Sequence, residues 1–372
     1  MGSCGRFTPP AGAIIEFMRI LITGLCGFVG QTLARGLLEA RPGIEVLGLD
    51  NLIRPGSEQN RTILAALGVK CLHADIRLTS DLEALPAVDW VIDAAANASV
   101  LAGVSGPLTS RQLVEHNLLG TVNLLEYCKR QRAGFILLST SRVYSIAPLA
   151  GLATEVVQQA FRPRADQSWP EGCSGKGVAE RFSTRPPLSL YGSTKFTSET
   201  LAMEYGAAFG FPVWINRCGV LAGAGQFGRA DQGIFSFWIH SYARRRPLKY
   251  IGFDGSGGQV RDGLHPRDLV PVLLRQMTEP APTPEPPLNF GGGSKHSMSL
   301  AQLSAWCAAR FGPHAIASDP RPRPFDIPWM VMDCRAAQDR WDWRPQTSLT
   351  AILEEIAQHA EQNSDWLERT QG

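Results

Sequence analysis

The chain has 372 residues, 44% of them hydrophobic, with a formal net charge of +2. That is enough apolar material for a large α/β domain plus a smaller part, and the near-neutral balance gives no bias toward polyanions, so nucleic acid is not an expected partner. Eight cysteines, at 4, 26, 71, 128, 173, 218, 307 and 334, show neither disulfide nor zinc spacing, and no apolar run approaches a membrane span. A reduced, cytoplasmic setting without metal or membrane partner is expected. Residues 1–17 are read as a tail without a role in chemistry, because Met18 directly precedes the first strand.

That strand, Arg19-Ile20-Leu21-Ile22, runs into a turn with glycines at 24, 27 and 30, then an amphipathic helix, then a second apolar strand ending on Asp50. This is a βαβ dinucleotide-binding pattern. Gly24 allows a tight turn, Gly27 lets backbone N–H groups approach a pyrophosphate, and Gly30 lets the helix pack on the strand, with Phe28 and Val29 between them. Asp50, followed by Asn51, is placed to accept hydrogen bonds from an adenosine ribose and would repel a 2′-phosphate, which selects NAD. A polar connection with a helix leads to a third strand over 69–76 that carries Asp75 and Ile76. Asp75 could also cap the segment Leu78 to Leu85.

The fourth strand, Asp89 to Asp93, runs into Ala94, Ala95 and Ala96, small enough for a flat cofactor to lie against the backbone. One helix is expected from Arg111 to Gln131, containing Asn117, and a fifth strand over 134–138 ends in the hydroxyls of Ser139, Thr140 and Ser141. A further helix, opening near Ser189 and running to about Phe209, carries Tyr191 and Lys195 four residues apart on one face. An ammonium near a phenol favours phenolate, which makes Tyr191 a candidate base, and Thr140 can hold a substrate hydroxyl in line. The Pro-, Gly- and Ser-rich stretch of about 45 residues between Tyr144 and Tyr191 is long for a loop, and is read either as a lid over the site or as a surface insertion. The run Arg244-Arg245-Arg246 is read as a solvated helix end, the Pro-rich run 279–287 as a stiff linker, and 336–342 and 349–362 as helices.

The spacing of the glycines, together with Thr140, Tyr191 and Lys195, resembles the short-chain dehydrogenase/reductase superfamily. Asn117-x-x-Gly120-Thr121 resembles its extended members. The later segments Arg217 to Gly223, Gln226-Phe227, Asp231-Gln232-Gly233, Gly258 to Asp268 and Asn289 to Gly293 are similar to the substrate-binding half of nucleotide-sugar epimerases, most of all the CDP-paratose 2-epimerase group, and the match runs from about Arg19 to Gln358. The resemblance implies a Rossmann-like, doubly wound parallel sheet over 18–217 that carries NAD and the catalytic residues, and a smaller C-terminal α/β substrate-binding part over 218–372, the two interleaving where needed. It also implies that Asp75 contacts the adenine amino group, that Ile76, Asn117 and Ser139 belong to the cofactor site, and that Thr140, Arg142, Gln226, Phe227, Gln232, Arg261 and Arg323 contact a nucleoside diphosphate sugar, a CDP-hexose above others. A guanidinium suits diphosphate oxygens, although Arg261 has rivals in the adjacent acids Asp262 and Asp268. His265 is expected to be structural, bonded to an acid.

The expected reaction is epimerisation by transient oxidation to a keto-sugar, with NAD retained. Sugar 4,6-dehydratases of this superfamily place Asp-Glu after the threonine of the fifth strand. Ser141 and Arg142 stand there and cannot supply acid and base for removing water. An NAD-dependent nucleotide-sugar dehydrogenase or reductase, a 4-epimerase, and a non-catalytic NAD-sensing protein are the alternatives. The resemblance further implies a homodimer, or higher homo-oligomer, through the helices near 111–131 and 192–209.

Overall fold

The computed structural model describes residues 17–105, 108–279 and 285–371. The expected tail, but for Phe17, and most of the Pro-rich linker lie outside the described residues. Seven strands form the main sheet: β1 (Met18–Thr23), β2 (Ile44–Asp50), β3 (Lys70–His73), β4 (Trp90–Asp93), β5 (Gly134–Thr140), β6 (Val213–Cys218) and β7 (Leu288–Phe290). Their order is β7-β6-β5-β4-β1-β2-β3, every pair parallel. Strands such as Ile20-Leu21-Ile22 and Phe135-Ile136-Leu137 are apolar without alternation because both faces of a parallel sheet are covered. Successive side chains still point to opposite faces. Ile20 and Ile22 join one core with Leu33, Leu37 and Leu273, while Leu21 joins the other with Leu124, Phe135 and Ala202.

Among the helices are α1 (Phe28–Ala40), α2 (Glu58–Ala66), α3 (Gly120–Gln131), α4 (Leu190–Phe209), α5 (Ile234–Ala243), α6 (Val270–Thr278), α7 (Leu300–Phe311), α8 (Leu349–Gln362) and α9 (Trp366–Gln371), and the helix expected over 336–342 forms at Arg335–Trp341. Strand order reverses between β1 and β4, so the carboxyl ends of β1, β4 and β5 open a crevice, the usual ligand position in a sheet wound this way. The smaller part packs around a core of its own that includes Trp238, Tyr242, Leu303, Ile352 and Ile356. The two parts interleave in sequence. Strand β7 comes from beyond residue 217 yet completes the main sheet, and Val270 of α6 presses on Gly36 of α1, where a Cβ would lie 2.7 Å from it.

The helix expected over 111–131 forms, running from Ser110 to Gln131, with a π turn at Glu115–Leu119 between an α-helical turn, Ser110–Val114, and α3. The long stretch after Tyr144 is not a lid. It forms a hairpin, Thr154–Val157 with Ala160–Pro163, that bonds to the smaller part through Phe161 N to Gly258 O (2.8 Å) and Ser299 Oγ to Gln159 O (2.7 Å). Further on, Val178 N donates to Val331 O (2.9 Å), so the stretch braces one part of the molecule against the other, and none of its residues lines the central cavity. The triple arginine caps carbonyls or pairs with acid: Arg244 donates to Ala360 O, Arg245 to the carbonyls of residues 311–313, and Arg246 pairs with Glu368.

Candidate active site

The glycine turn leaves no room for side chains. Gly24 has φ +62°, and a Cβ there would meet Ala95 Cα at 3.0 Å; a Cβ on Gly30 would sit 2.3 Å from Gly24 O. Helix α1 therefore starts against the turn itself, capped by Gly27 with no side-chain bond and no acid in its first turn. Its first N–H groups remain available to an anion, aided by the helix dipole. Asp50 is locked beside them, accepting from Cys26 N (2.9 Å) and Leu52 N (2.8 Å), with burial pushing its carboxyl up. Phe28 is buried edge-on to His265, whereas Val29 reaches the cavity. This narrow, acid-tipped cradle fits the pyrophosphate and unphosphorylated ribose of NAD.

At the end of β3, Asp75 accepts from Asn51 Nδ2 (2.9 Å) and from the Arg77 guanidinium (2.7 Å). Burial works to raise its carboxyl, but Arg77 and Asn51 outweigh it and hold it well below the usual range. Asp75 is not the cap of the next helical turn, where Leu78 stands. Ile76 packs on Gly120, where a Cβ would meet its Cδ1 at 2.4 Å. Thr23 Oγ1 accepts from Ala94 N and Ala95 N and donates to Asp93, which ties the end of β4 to the glycine turn. Asn117 is turned away from the cavity. The π turn carries it to Asn97, whose N–H it accepts at 2.8 Å and whose carbonyl it bonds at 3.1 Å, and to Thr194.

A cavity of about 500 Å³ opens at the sheet edge, with Ala94, Ala96, Ser139, Thr140, Arg142 and Tyr191 on one wall. Ser189 starts α4 by accepting from Gly192 N (3.0 Å), and a Cβ on Gly192 would lie 2.2 Å from Arg142 O, so the turn Ser141–Val143 and the first turn of α4 are pressed together. Burial pushes the Tyr191 phenol up to about 12, while the Thr140 hydroxyl and the Arg142 guanidinium pull it the other way. Lys195 is buried one turn on; burial lowers its ammonium, opposed by Asp93 and Glu199. Glu199 escaped the sequence reading, yet it anchors the wall: it accepts from Ser139 Oγ and forms a buried pair with Arg217 (2.6 Å).

The opposite wall comes from the smaller part. Arg261 pairs with Asp326 (3.0 Å) and not with Asp262, which faces the other way and accepts from Gly293 N and Met332 N, nor with Asp268, which holds Gln346 and Thr347. Arg323 donates to Ala230 O (3.2 Å). Gln226 and Gln232 line the cavity. The Gln226 amide donates to Leu221 O (2.7 Å) and leaves Oε1 without a partner, and Gln232 accepts from Arg54 (3.0 Å), a contact the sequence did not suggest. Phe227 does not line it. Its ring stacks on Trp366 (5.6 Å) with Arg54 over the ring, because an apolar side chain gains more from that cluster than from a polar cleft.

His265 accepts from Arg267 N and Nε, with Glu355 no nearer than 3.5 Å, and burial followed by Arg267 pushes it down to about 3. It is a neutral structural imidazole bonded to an arginine, with the carboxylate of Glu355 in looser contact at Nε2. The cysteines are not all scattered in space, since β1 to β3 bring the Cys26 and Cys71 sulfurs to 3.3 Å, both as free thiols. Among the described residues no helix is long and apolar enough to cross a membrane.

Known proteins are similar to this chain. The chain is 26% identical over 344 residues to CDP-paratose 2-epimerase of Salmonella typhi, covering 89% of this chain and 96% of that one. It is likewise 26% identical to UDP-glucuronate 4-epimerase of Thermodesulfobacterium geofontis, covering 92% and 96%. Among solved structures, the UDP-glucuronic acid 4-epimerase of Bacillus cereus, in complex with UDP-glucuronic acid and NAD, superposes with a TM-score of 0.72 at 25% identity over 93% of this chain and 99% of that one. The family model for NAD-dependent epimerases and dehydratases matches residues 20–291, a span that holds the glycine turn, Thr140, Tyr191, Lys195 and Arg261. The chain belongs to the NAD-dependent epimerase/dehydratase family, and its cofactor is NAD.

Proposed function

We propose that this protein inverts one carbon of a nucleoside diphosphate sugar through a transient keto-sugar, and that its substrate is a CDP-hexose inverted at C2. One observation carries the reading: Thr140 and Tyr191 face Arg261 and Arg323 across a single cavity whose wall holds more cations than acids. That pairing suits a sugar hydroxyl at one end and a diphosphate at the other. The similarity to the Salmonella enzyme, and Gln226 with the run from Ala230 to Gly233 on the cavity wall, support the CDP-sugar over its competitors.

Thr140 would hold the reacting hydroxyl while the Tyr191 phenolate takes its proton. Bound NAD supplies hydride acceptance from the sugar carbon and hydride return to it. Tyr191 then gives the proton back to the oxygen of the inverted centre, and Lys195, its charge favoured by Asp93 and Glu199, would bond the cofactor ribose and keep the phenol placed. Ser141 and Arg142 offer no carboxyl for removing water, which favours epimerisation over dehydration. We also propose a homodimer through the paired α3 and α4 face, which leaves Leu119 and Phe209 exposed.

The test is incubation with CDP-, UDP-, GDP- and dTDP-sugars followed by NMR of the sugar ring, with NAD released by denaturation counted per chain. Inversion at C2 of a CDP-sugar with stoichiometric bound NAD is the expected result. Inversion at C4 of a UDP-uronic acid is the second reading, favoured by equal identity to the glucuronate epimerase. Net oxidation or reduction with free exchange of NAD would overturn both.

A further inference from the structure

Cys26 follows β1 and Cys71 lies on β3, with β2 between the two strands. Their sulfurs still meet at 3.3 Å, because β2 has no side chain at the crossing point. Gly48 pairs in register with Cys71, and a Cβ on it would lie 2.7 Å from Leu25 Cβ, so the glycine turn passes over β2 there. The backbone of Cys26 is fixed on both sides: its N–H donates to Asp50 (2.9 Å), and its carbonyl accepts from Asn60 Nδ2 (2.8 Å). The contact is therefore set by the backbone.

The two thiols are unlike. Cys26 is fully buried, whereas among the described cysteines only Cys71 is partly exposed. The hydrogen bond between the sulfurs, and then Arg61, lower the Cys71 thiol against burial and Asp50, while the same bond and burial raise Cys26. That is the division an oxidisable pair needs: an accessible thiolate to meet the oxidant, and a sheltered thiol beside it to close the bond. Neither residue lines the central cavity, and the hydride chemistry makes no use of them.

We propose that Cys26 and Cys71 form a site of reversible oxidation, closed to a disulfide by hydroperoxides, and that the bond loosens the hold on NAD. The Cys71 thiolate attacks one oxygen of hydrogen peroxide, the O–O bond breaks, and the other oxygen leaves as hydroxide and is protonated to water. Cys71 is then a sulfenic acid. Cys26 attacks the Cys71 sulfur, the S–O bond breaks, and the hydroxyl leaves as water with the Cys26 proton. Two electrons pass from the pair to the peroxide, and an added dithiol returns them. A covalent bond is shorter than the present contact, so the sulfurs must close further. The turn has little slack elsewhere, since a Cβ on Gly30 would sit 2.3 Å from Gly24 O. The movement falls on the bond from Cys26 to Asp50, the acid at the tip of the NAD cradle.

The test needs no sugar, so it stands apart from the turnover panel. NAD-loaded protein is treated with hydrogen peroxide, the excess is removed with catalase, free thiols are alkylated, and a tryptic digest is read by mass spectrometry without reduction. Residues 20–35 then carry Cys26 alone and residues 71–77 carry Cys71 alone, and these two peptides should appear joined. Release of NAD, followed with an added dehydrogenase that consumes it, should quicken about tenfold or more, as when one charge-assisted hydrogen bond is lost. Dithiothreitol should restore the original rate, and Cys71→Ala should keep slow release after peroxide. If Cys71→Ala loses its NAD before treatment, the wild type decides, and a quickening that dithiothreitol does not reverse overturns the proposal. Absence of the joined peptides overturns it too, as does their presence with release unchanged, or release hastened equally in Cys71→Ala.

Discussion

The two walls of the cavity are built on different principles. On the sheet side, the residues sit at strand ends and helix starts, and their polar atoms are largely occupied: Thr23 with Asp93, Asp50 with the turn, Ser139 with Glu199. On the side of the smaller part most sit on loops, with Arg261 on the strand Val260–Leu264, and Gln226 Oε1 and Gln259 Oε1 are buried without partners. A saturated wall fixes geometry common to many reactions, and an unsaturated one waits for the donors of a particular ligand. Chemistry and specificity are therefore separable by mutation.

The sharpest break comes on the sheet side. Tyr191→Phe should cost roughly 10²- to 10⁴-fold in turnover with bound NAD unchanged, since only the base is lost. Unchanged turnover with the correct sugar nucleotide would remove the base assignment. Glu199→Ala should come next in size, destabilising the fold by about 3–5 kcal/mol in urea titration, because it leaves Arg217 charged and buried without its carboxylate. Phe227→Ala should cost about 3 kcal/mol by removing the ring from Trp366, with little change in substrate preference. A large preference change with unaltered stability would return Phe227 to the binding wall.

Acid should loosen the side of the smaller part. Burial pushes His240 down to about 3 and His359 to about 4, and the two rings meet at 3.2 Å beside Trp366. Their folded values lie below the unfolded value of about 6.5, so the neutral pair contributes stability that is complete above that pH and lost as the pH falls toward 3 to 4. The melting temperature should fall across that window, and less steeply in His359→Gln. The smallest effect belongs to Gln226→Ala, which should change stability by less than about 1 kcal/mol yet shift the ranking of nucleotide sugars by KM.

Much of the sheet side could be read from the sequence because its chemistry is spaced locally. Gly24 to Gly30 form one turn, Asp50 ends the next strand, and Tyr191 and Lys195 share a helical face. The features that could not be read depend on distant chain. Arg261 looked ready to pair with Asp262, but neighbours on a strand point to opposite faces, and the true partner lies 65 residues away. Phe227 read as a ligand contact because its stacking partner, Trp366, is remote in sequence. The approach of Cys26 to Cys71 follows from strand order, which no cysteine spacing reveals. The brace after Tyr144 has the length and composition of a lid, and only its bonds to Gly258, Ser299 and Val331 tell the two apart.

The π turn at Glu115–Leu119 makes this helix sensitive to counting. A winding of that kind carries a surplus residue, so deleting one there would let the segment relax into ordinary helix, leaving the Ser110–Val114 turn nearly in place relative to α3 but rotating the residues of the wide turn itself. Asn117 would then leave Asn97, and the exit of β4 would lose its tether while the composition stayed nearly the same. Length here, more than the identity of exposed side chains such as Val114, is the quantity that natural variation in this chain is expected to preserve.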